Sequence, residues 1–383
     1  MSGRLVILTE IISPYRIPLF NSLAKQEGID LHVVFLSETD PGLRQWKVYK
    51  EEIRFSYEVL PSWRRRVGRF HLLLNGGVAR ALNAKAPEAI LCGGYNYLAS
   101  WQALLWARSH NVPLLLWSES NAQDQRRGYN AVEFLKQGFL QRCSGYVVPG
   151  RSAREYLLLK KISADQIFIA PNAVDNDLFA SLAGEARQRA AIRRGELNLP
   201  DRYFLFAGRL VREKGVFELL SAYAKLEASI RERVGLVFVG EGECRRRLEA
   251  EAGSITPGRI CFPGFASRAV LASYYALAEA LILPTYTDTW GLVVNEAMAC
   301  GLPVIVSDVA GCTADLVRKA WNGLIVPPKE PLPLAAAMRT MAESAELRAT
   351  MGANSAQLIC EYSPERWSRS IASMVAGMDV AHE

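Results

Sequence analysis

Two carboxylates, Asp288 and Glu296, stand eight positions apart in the stretch 281–307, LILPTYTDTWGLVVNEAMACGLPVIVS. At roughly 1.5 Å of rise per helical residue, that spacing separates them by up to about 12 Å. They are too far apart to hold one metal ion or share one proton, but they can grip two ends of an elongated ligand. Between them, the amides of Gly291, Leu292 and Val293 fall near an expected helix N-terminus, a place that favours an anion. Glu296 lies inside an apolar helical run, VVNEAMAC, and a buried carboxylate needs a partner. On spacing alone a second reading stays open, in which Asp288 caps the helix and Glu296 pairs with a distant arginine.

The elements that must position this pair are legible around it. Residues 281–283 form a short apolar strand closed by Pro284, and 285–289 are polar loop. Trp290 and Gly291 open a helix that runs to Cys300; Gly301 can take the left-handed position after it, and Pro303 prevents continuation. A β-branched strand follows at 304–306. This is half of a parallel α/β sheet, with its loop at the carboxyl end of a strand, where ligands of such sheets bind.

Two cations stand in a similar place. YFLFAGRL at 203–210 reads as a strand, VREKG as a loop, and a helix begins near Val216. Arg209 leaves the strand end after Gly208, and Lys214 stands at the helix entrance. A planar fork and a point charge beside free helix amides suit a pyrophosphate. In GLVFVGEGE at 235–243, Gly240 and Gly242 let the chain pass close to a ligand.

Asp-x7-Glu followed by AMACGLPVIVS resembles the E-x7-E signature of the family 4 retaining glycosyltransferases, and GRL-x-x-EKG is similar to that family's diphosphate-binding run. The resemblance spans nearly the whole chain. It implies the GT-B fold, an α/β architecture of two Rossmann-like domains with parallel sheets facing across a cleft. Residues 1–175 would hold the acceptor and 176–363 the donor, with the final helix, 364–383, crossing back to the first domain. The same resemblance assigns Arg209, Lys214 and the amides of Gly291, Leu292 and Val293 to the donor diphosphate. Glu296 would take the ribose hydroxyls and Asp288 the donor sugar, while backbone near 260–265 would meet the nucleobase. Asp288 departs from the family's usual Glu and reaches about one methylene less.

In the first half, strands are expected at 4–9, 31–36, 53–60, 89–92, 114–117 and 146–148, alternating with helical patterns such as 98–110. No G-x-G-x-x-G follows the first strand, which weighs against an oxidoreductase. The loop EIISPYRIPLF resembles the opening of bacterial relatives that build surface polysaccharides, where it borders the acceptor side. That makes Tyr15 and Arg16 candidates for the acceptor wall; the alternative is a surface loop pinned by Pro14 and Pro18, with a helix over 19–25. WSESNAQDQRRG at 117–128 carries Glu119 at a strand end where many retaining relatives place a His. Glu119 can contact the transferred sugar or the acceptor hydroxyl, or simply cap the next helix.

WRRRVGRFHLLL at 63–74 sets four arginines beside Trp63, Phe70 and three leucines. Such a segment can lie in the headgroup region of an anionic membrane. It can equally be a solvated helix start whose leucines pack inward.

Length and composition fit this picture. The 383 residues suit two domains, half are apolar, and the net charge of +6 fits phosphate-bearing ligands or an anionic membrane face. Seven cysteines are scattered singly without metal-ligand spacing, which predicts reduced thiols, no divalent-cation requirement and a cytoplasmic protein. The N-terminal apolar run is too short for a signal peptide. The expected activity is therefore metal-independent, retaining transfer of hexosyltransferase type. The donor is a nucleoside diphosphate sugar, and no other cofactor is needed. The acceptor is a hydroxyl of a saccharide or lipid-linked saccharide, in polysaccharide or glycolipid biosynthesis. Peripheral contact with the inner face of an anionic membrane is expected and a nucleic-acid partner is not. A nucleotide-sugar epimerase of the same fold and a catalytically inactive sugar-nucleotide-binding protein are the alternatives.

Overall fold

Short β-rich apolar runs, each closed by Gly, Pro or a polar loop, become the strands of two parallel sheets in the computed structural model, which describes residues 3–39, 47–67, 70–122 and 130–379. The chain divides into two compact units, one made of residues 1–172 with 364–383 and the other of 173–363. The sequence reading set that boundary three residues later.

The first unit contains β1 (Gly3–Ile11), β2 (Ile29–Ser37), β3 (Ser56–Val59), β4 (Ser62–Val67), β5 (Phe70–Asn75), β6 (Ala89–Cys92), β7 (Leu114–Trp117), β8 (Gly145–Val148) and β9 (Ile167–Ile169). Seven of them form one sheet in the order β3-β2-β1-β6-β7-β8-β9, all parallel. Chain direction across the sheet reverses between β1 and β6, so loops following the central strands converge at its carboxyl edge. The first helix, Ile17–Leu23, starts two residues before the expected 19 because Pro18 fits the first turn, where no amide hydrogen is required. The last helix, Pro364–Asp379, belongs to this unit. Its Trp367 is buried against Phe20 and Trp117, with ring centroids 5.9 Å and 5.2 Å away, and Ser368 hydrogen-bonds Ser22 at 2.9 Å.

The basic segment is not a helix start. Strands β4 and β5 pair antiparallel as a hairpin, with Trp63 opposite Leu74, Arg64 opposite Leu73 and Arg65 opposite Leu72. Alternation then sends Leu73 into the core and leaves Trp63 and Leu72 outward. Gly68 and Arg69 lie outside the described residues.

The second unit contains β10 (Tyr203–Ala207), β11 (Gly235–Val239), β12 (Ile260–Gly264), β13 (Ala280–Leu283), β14 (Val304–Ser307) and β15 (Gly323–Val326). They form a six-stranded parallel sheet in the order β12-β11-β10-β13-β14-β15. The chain builds outward from β10 in one direction and from β13 in the other. The point where the order reverses lies between those two strands. Strand β10 ends at Ala207, earlier than the expected 210, because Gly208 turns the chain at φ +146°.

Candidate active site

The loops after β10 and β13 flank that reversal point, and hydrogen bonds lock one to the other. The carbonyl of Glu213 accepts from the Thr285 hydroxyl at 2.9 Å and from the Tyr286 amide at 2.8 Å. The lock brings Lys214 Nζ onto Asp288 Oδ2 as an ion pair, with the two side chains only 17% and 15% exposed. Asp288 Oδ1 accepts from the Trp290 amide at 3.4 Å, and its carbonyl accepts from the Gly311 amide at 3.0 Å. The Asp288 carboxylate thus organises the turn and pairs with Lys214. Arg209 is solvent-exposed at the start of the same loop, just after β10.

Gly291 precedes the helix Leu292–Ala299 in a left-handed conformation, φ +102°, so the amides of Leu292 and Val293 open the helix as expected. Trp290 Nε1 donates to Asn295 Oδ1 at 2.8 Å in a buried contact that ties the loop to the helix. Gly301, at φ +70°, takes the left-handed position after the helix, also as expected. Glu296 is 1% exposed, and the Tyr275 hydroxyl donates to its Oε2 at 2.6 Å. Burial pushes this carboxyl up to about 7, against the opposing pull of the Tyr275 hydrogen bond and the Arg268 charge. The partner of Glu296 is thus chiefly a tyrosine, a residue that spacing could not have pointed to.

The glycine loop after β11 packs on the loop after β10. A Cβ on Gly240 would lie 2.0 Å from the carbonyl oxygen of Gly208, and one on Gly242 would lie 2.3 Å from that of Leu210. What these glycines admit is the backbone of the neighbouring loop, which they bring beside Arg209.

In the first unit, three strand ends meet. Arg16 follows β1, Glu119 follows β7 and Asn172 follows β9. The Arg16 guanidinium lies flat on Trp117, 3.9 Å from the ring centroid, where a cation and an aromatic face attract. One of its nitrogens pairs with Glu119 Oε1, and the other donates to Asn172 Oδ1 at 3.0 Å. Asn172 Nδ2 in turn donates to Glu119 Oε1 at 3.0 Å. Tyr15 sits half-buried in the same turn as Arg16. The sequence reading named Tyr15, Arg16 and Glu119 separately and missed Asn172. An amide just beyond a strand end, in IFIAPN, was the available signal. The part of the Glu119 segment from Gln123 onward lies outside the described residues.

Residues 188–358, almost all of the second unit, match the family described as "Glycosyl transferases group 1". That unit belongs to the group 1 glycosyltransferases. Among relatives, an alpha-D-kanosaminyltransferase of Streptomyces kanamyceticus is 32% identical over 185 residues, 48% of this chain and 47% of the relative. A D-inositol 3-phosphate glycosyltransferase of Xylanimonas cellulosilytica is 32% identical over 188 residues, 47% of this chain and 44% of the relative. The chain therefore spans a little under half the length of these relatives. Among solved structures, Anabaena HepE in complex with UDP and glucose superposes with a TM-score of 0.76 at 17% identity, covering 98% of this chain and 100% of that one. Such agreement at low identity establishes the GT-B fold for the whole chain.

Proposed function

We propose that this chain is a retaining glycosyltransferase of hexosyltransferase type that moves a sugar from a nucleoside diphosphate sugar to a hydroxyl of a saccharide or lipid-linked acceptor, in polysaccharide or glycolipid biosynthesis. The observation that carries the proposal is the convergence of Lys214, Asp288 and the Gly291 helix N-terminus at the reversal point between β10 and β13. Lys214, Arg209 and the Leu292 and Val293 amides would take the charge that develops on the leaving diphosphate. Glu296 would hold the ribose. Its deep burial and Tyr275 contact, and the Lys214 contact of Asp288, make both carboxylates poor nucleophiles. Front-face transfer follows, in which the leaving phosphate receives the acceptor proton while the new glycosidic bond forms. Glu119, held by Arg16 and Asn172, would accept a hydrogen bond from a sugar or acceptor hydroxyl.

A thermal-shift screen of UDP- and GDP-sugars, followed by product analysis with and without saccharide acceptors, tests the reading. The expected result is stabilisation by one donor class, then a glycoside whose anomeric configuration matches that of the donor. Activity is expected to survive excess chelator, because cationic side chains and amides hold the diphosphate; loss on chelation with recovery on added magnesium or manganese would refute that part. An epimer formed from donor alone would reassign the protein as an isomerase, and binding without turnover would make it a sugar-nucleotide-binding protein.

The hairpin supports a peripheral contact with anionic membrane. Trp63 is 51% exposed, Leu72 is 38% exposed, and exposed Arg65 stands directly opposite Leu72 on the same hairpin face. No helix among the described residues is long and apolar enough to cross a membrane. Sedimentation with phosphatidylglycerol vesicles should be strong at low salt, fall as salt screens the arginines, and weaken in a Trp63→Ser/Leu72→Ser variant. Absence of binding at low salt would return the arginines to a solvated face.

A further inference from the structure

Four tyrosines of the described residues are fully buried, and three of them spend their hydroxyls on backbone. Tyr146 donates to the carbonyl of Leu140, Tyr203 to that of Tyr274 and Tyr223 to that of Val234. Tyr275 is different, because its hydroxyl meets the carboxyl of Glu296. It comes from the helix Arg268–Leu277, which packs against Leu292–Ala299, and it is 0% exposed. A phenol that served packing alone would be matched by phenylalanine. Placing its hydroxyl on an ionisable group inside the proposed donor site has a consequence for ligand binding.

We propose that Tyr275 is a positioning residue that orients the Glu296 carboxyl and sets the pH above which it can hold the ribose of a nucleoside diphosphate sugar. The inference rests on the assignment of Glu296 to the donor ribose. An ionised carboxylate accepts hydrogen bonds at both oxygens, so it can keep Tyr275 and still receive ribose hydroxyls. The protonated form turns one acceptor into a donor and receives ribose hydroxyls more weakly. Burial favours the protonated form, and the Tyr275 hydrogen bond favours the ionised one.

The surroundings leave Glu296 as the group that changes state near neutrality. Arg268, on the Tyr275 helix, keeps its charge throughout. Cys300, on the helix of Glu296 itself, is pushed well up by burial and stays neutral. Arg187, from the adjoining helix Asn176–Gln188, donates to the carbonyl of Cys300 at the far end. On the helix Ala345–Ile359, Arg348 is paired with Glu279. Strands β13 and β14 bring no ionisable side chain.

The test is calorimetric affinity for UDP-glucose and GDP-mannose, whose diphosphates do not titrate near neutrality, measured from about pH 6 to about pH 9 in wild type, Tyr275→Phe and Glu296→Gln. Wild-type affinity should rise through about pH 7. In Tyr275→Phe the rise should move up by roughly one pH unit, so affinity at neutrality falls about fivefold and recovers at alkaline pH. Glu296→Gln should bind weakly with no rise. A Tyr275→Phe curve that overlies wild type would overturn the inference and make Tyr275 a packing residue. A Glu296→Gln protein that binds as wild type at every pH would instead overturn the ribose assignment. The infrared band of the protonated Glu296 carboxyl, absent from Glu296→Gln, gives a readout without ligand. It should persist to higher pH in Tyr275→Phe, and an unmoved band would also sink the proposal.

Discussion

Lys214→Ala should weaken binding of a nucleoside diphosphate by about a hundredfold, the largest binding loss expected from any single change in the second unit. A charge-assisted hydrogen bond to a phosphate oxygen contributes about 1.5–3 kcal/mol. The change also removes the Lys214 cation beside Asp288, whose side chain is only 15% exposed, so its charge is less offset as the diphosphate approaches. Stability and binding can be separated. Lys214→Ala alone should lower the melting temperature, and adding Asp288→Asn should restore part of it by removing the carboxylate charge that Lys214 no longer offsets. The double variant should still bind UDP or GDP poorly, because the phosphate contact is gone. Arg209→Ala should cost less, since an exposed guanidinium is screened by water and salt. Calorimetry showing wild-type affinity in Lys214→Ala would make the Lys214–Asp288 pair purely structural and move the diphosphate site elsewhere.

Glu296→Gln should have opposite effects on stability and on donor use. The carboxyl titrates near 7 in the folded protein against an ordinary value of 4.5. Below the ordinary value both folded and unfolded chains are protonated, and burial costs nothing in charge. As pH rises from 4.5 towards about 7, the unfolded chain releases this proton and the folded chain retains it, so folding stability is lost across that window. The full loss, present above about pH 7, is on the order of 3 kcal/mol. Glutamine is nearly the same size, keeps an oxygen for the Tyr275 hydroxyl and does not ionise. The variant should therefore match wild type in mildly acidic solution and be more stable than wild type in mildly alkaline solution, as read by melting temperature at the two pH values. Its donor KM should rise while kcat changes little, because a ribose contact is made equally in the ground and transition states. A stability gap that does not depend on pH would contradict the burial argument. Full activity with unchanged KM would make Glu296 structural.

Much of the proposed donor site is local, and for that reason it was legible in the chain. Strand ends, loop glycines and a helix start depend on residues within a few positions of each other, so the order strand, loop, Gly291, helix, Gly301, strand followed from side-chain type and spacing alone. The position of Arg209 and Lys214 after β10 was legible for the same reason. The extent of β3 and the nature of the basic segment were not. Alternation over a few residues is ambiguous between a helix start and a hairpin until a partner strand exists, and pairing of β4 with β5 resolved it.

The partners of the carboxylates were settled only by tertiary structure. Lys214 and Asp288 are 74 positions apart and meet because β10 and β13 are neighbours where the sheet order reverses. Tyr275 reaches Glu296 because two helices on one face of that sheet pack together. Arg16, Glu119 and Asn172, separated by as many as 156 positions, share a cluster because their strands end at the same edge of the first sheet. The sequence alone determined which residues stand at strand ends, because backbone geometry is local. Strand order decided which of them face one another, because it is chosen by burial of the whole sheet, and no short stretch of chain encodes it.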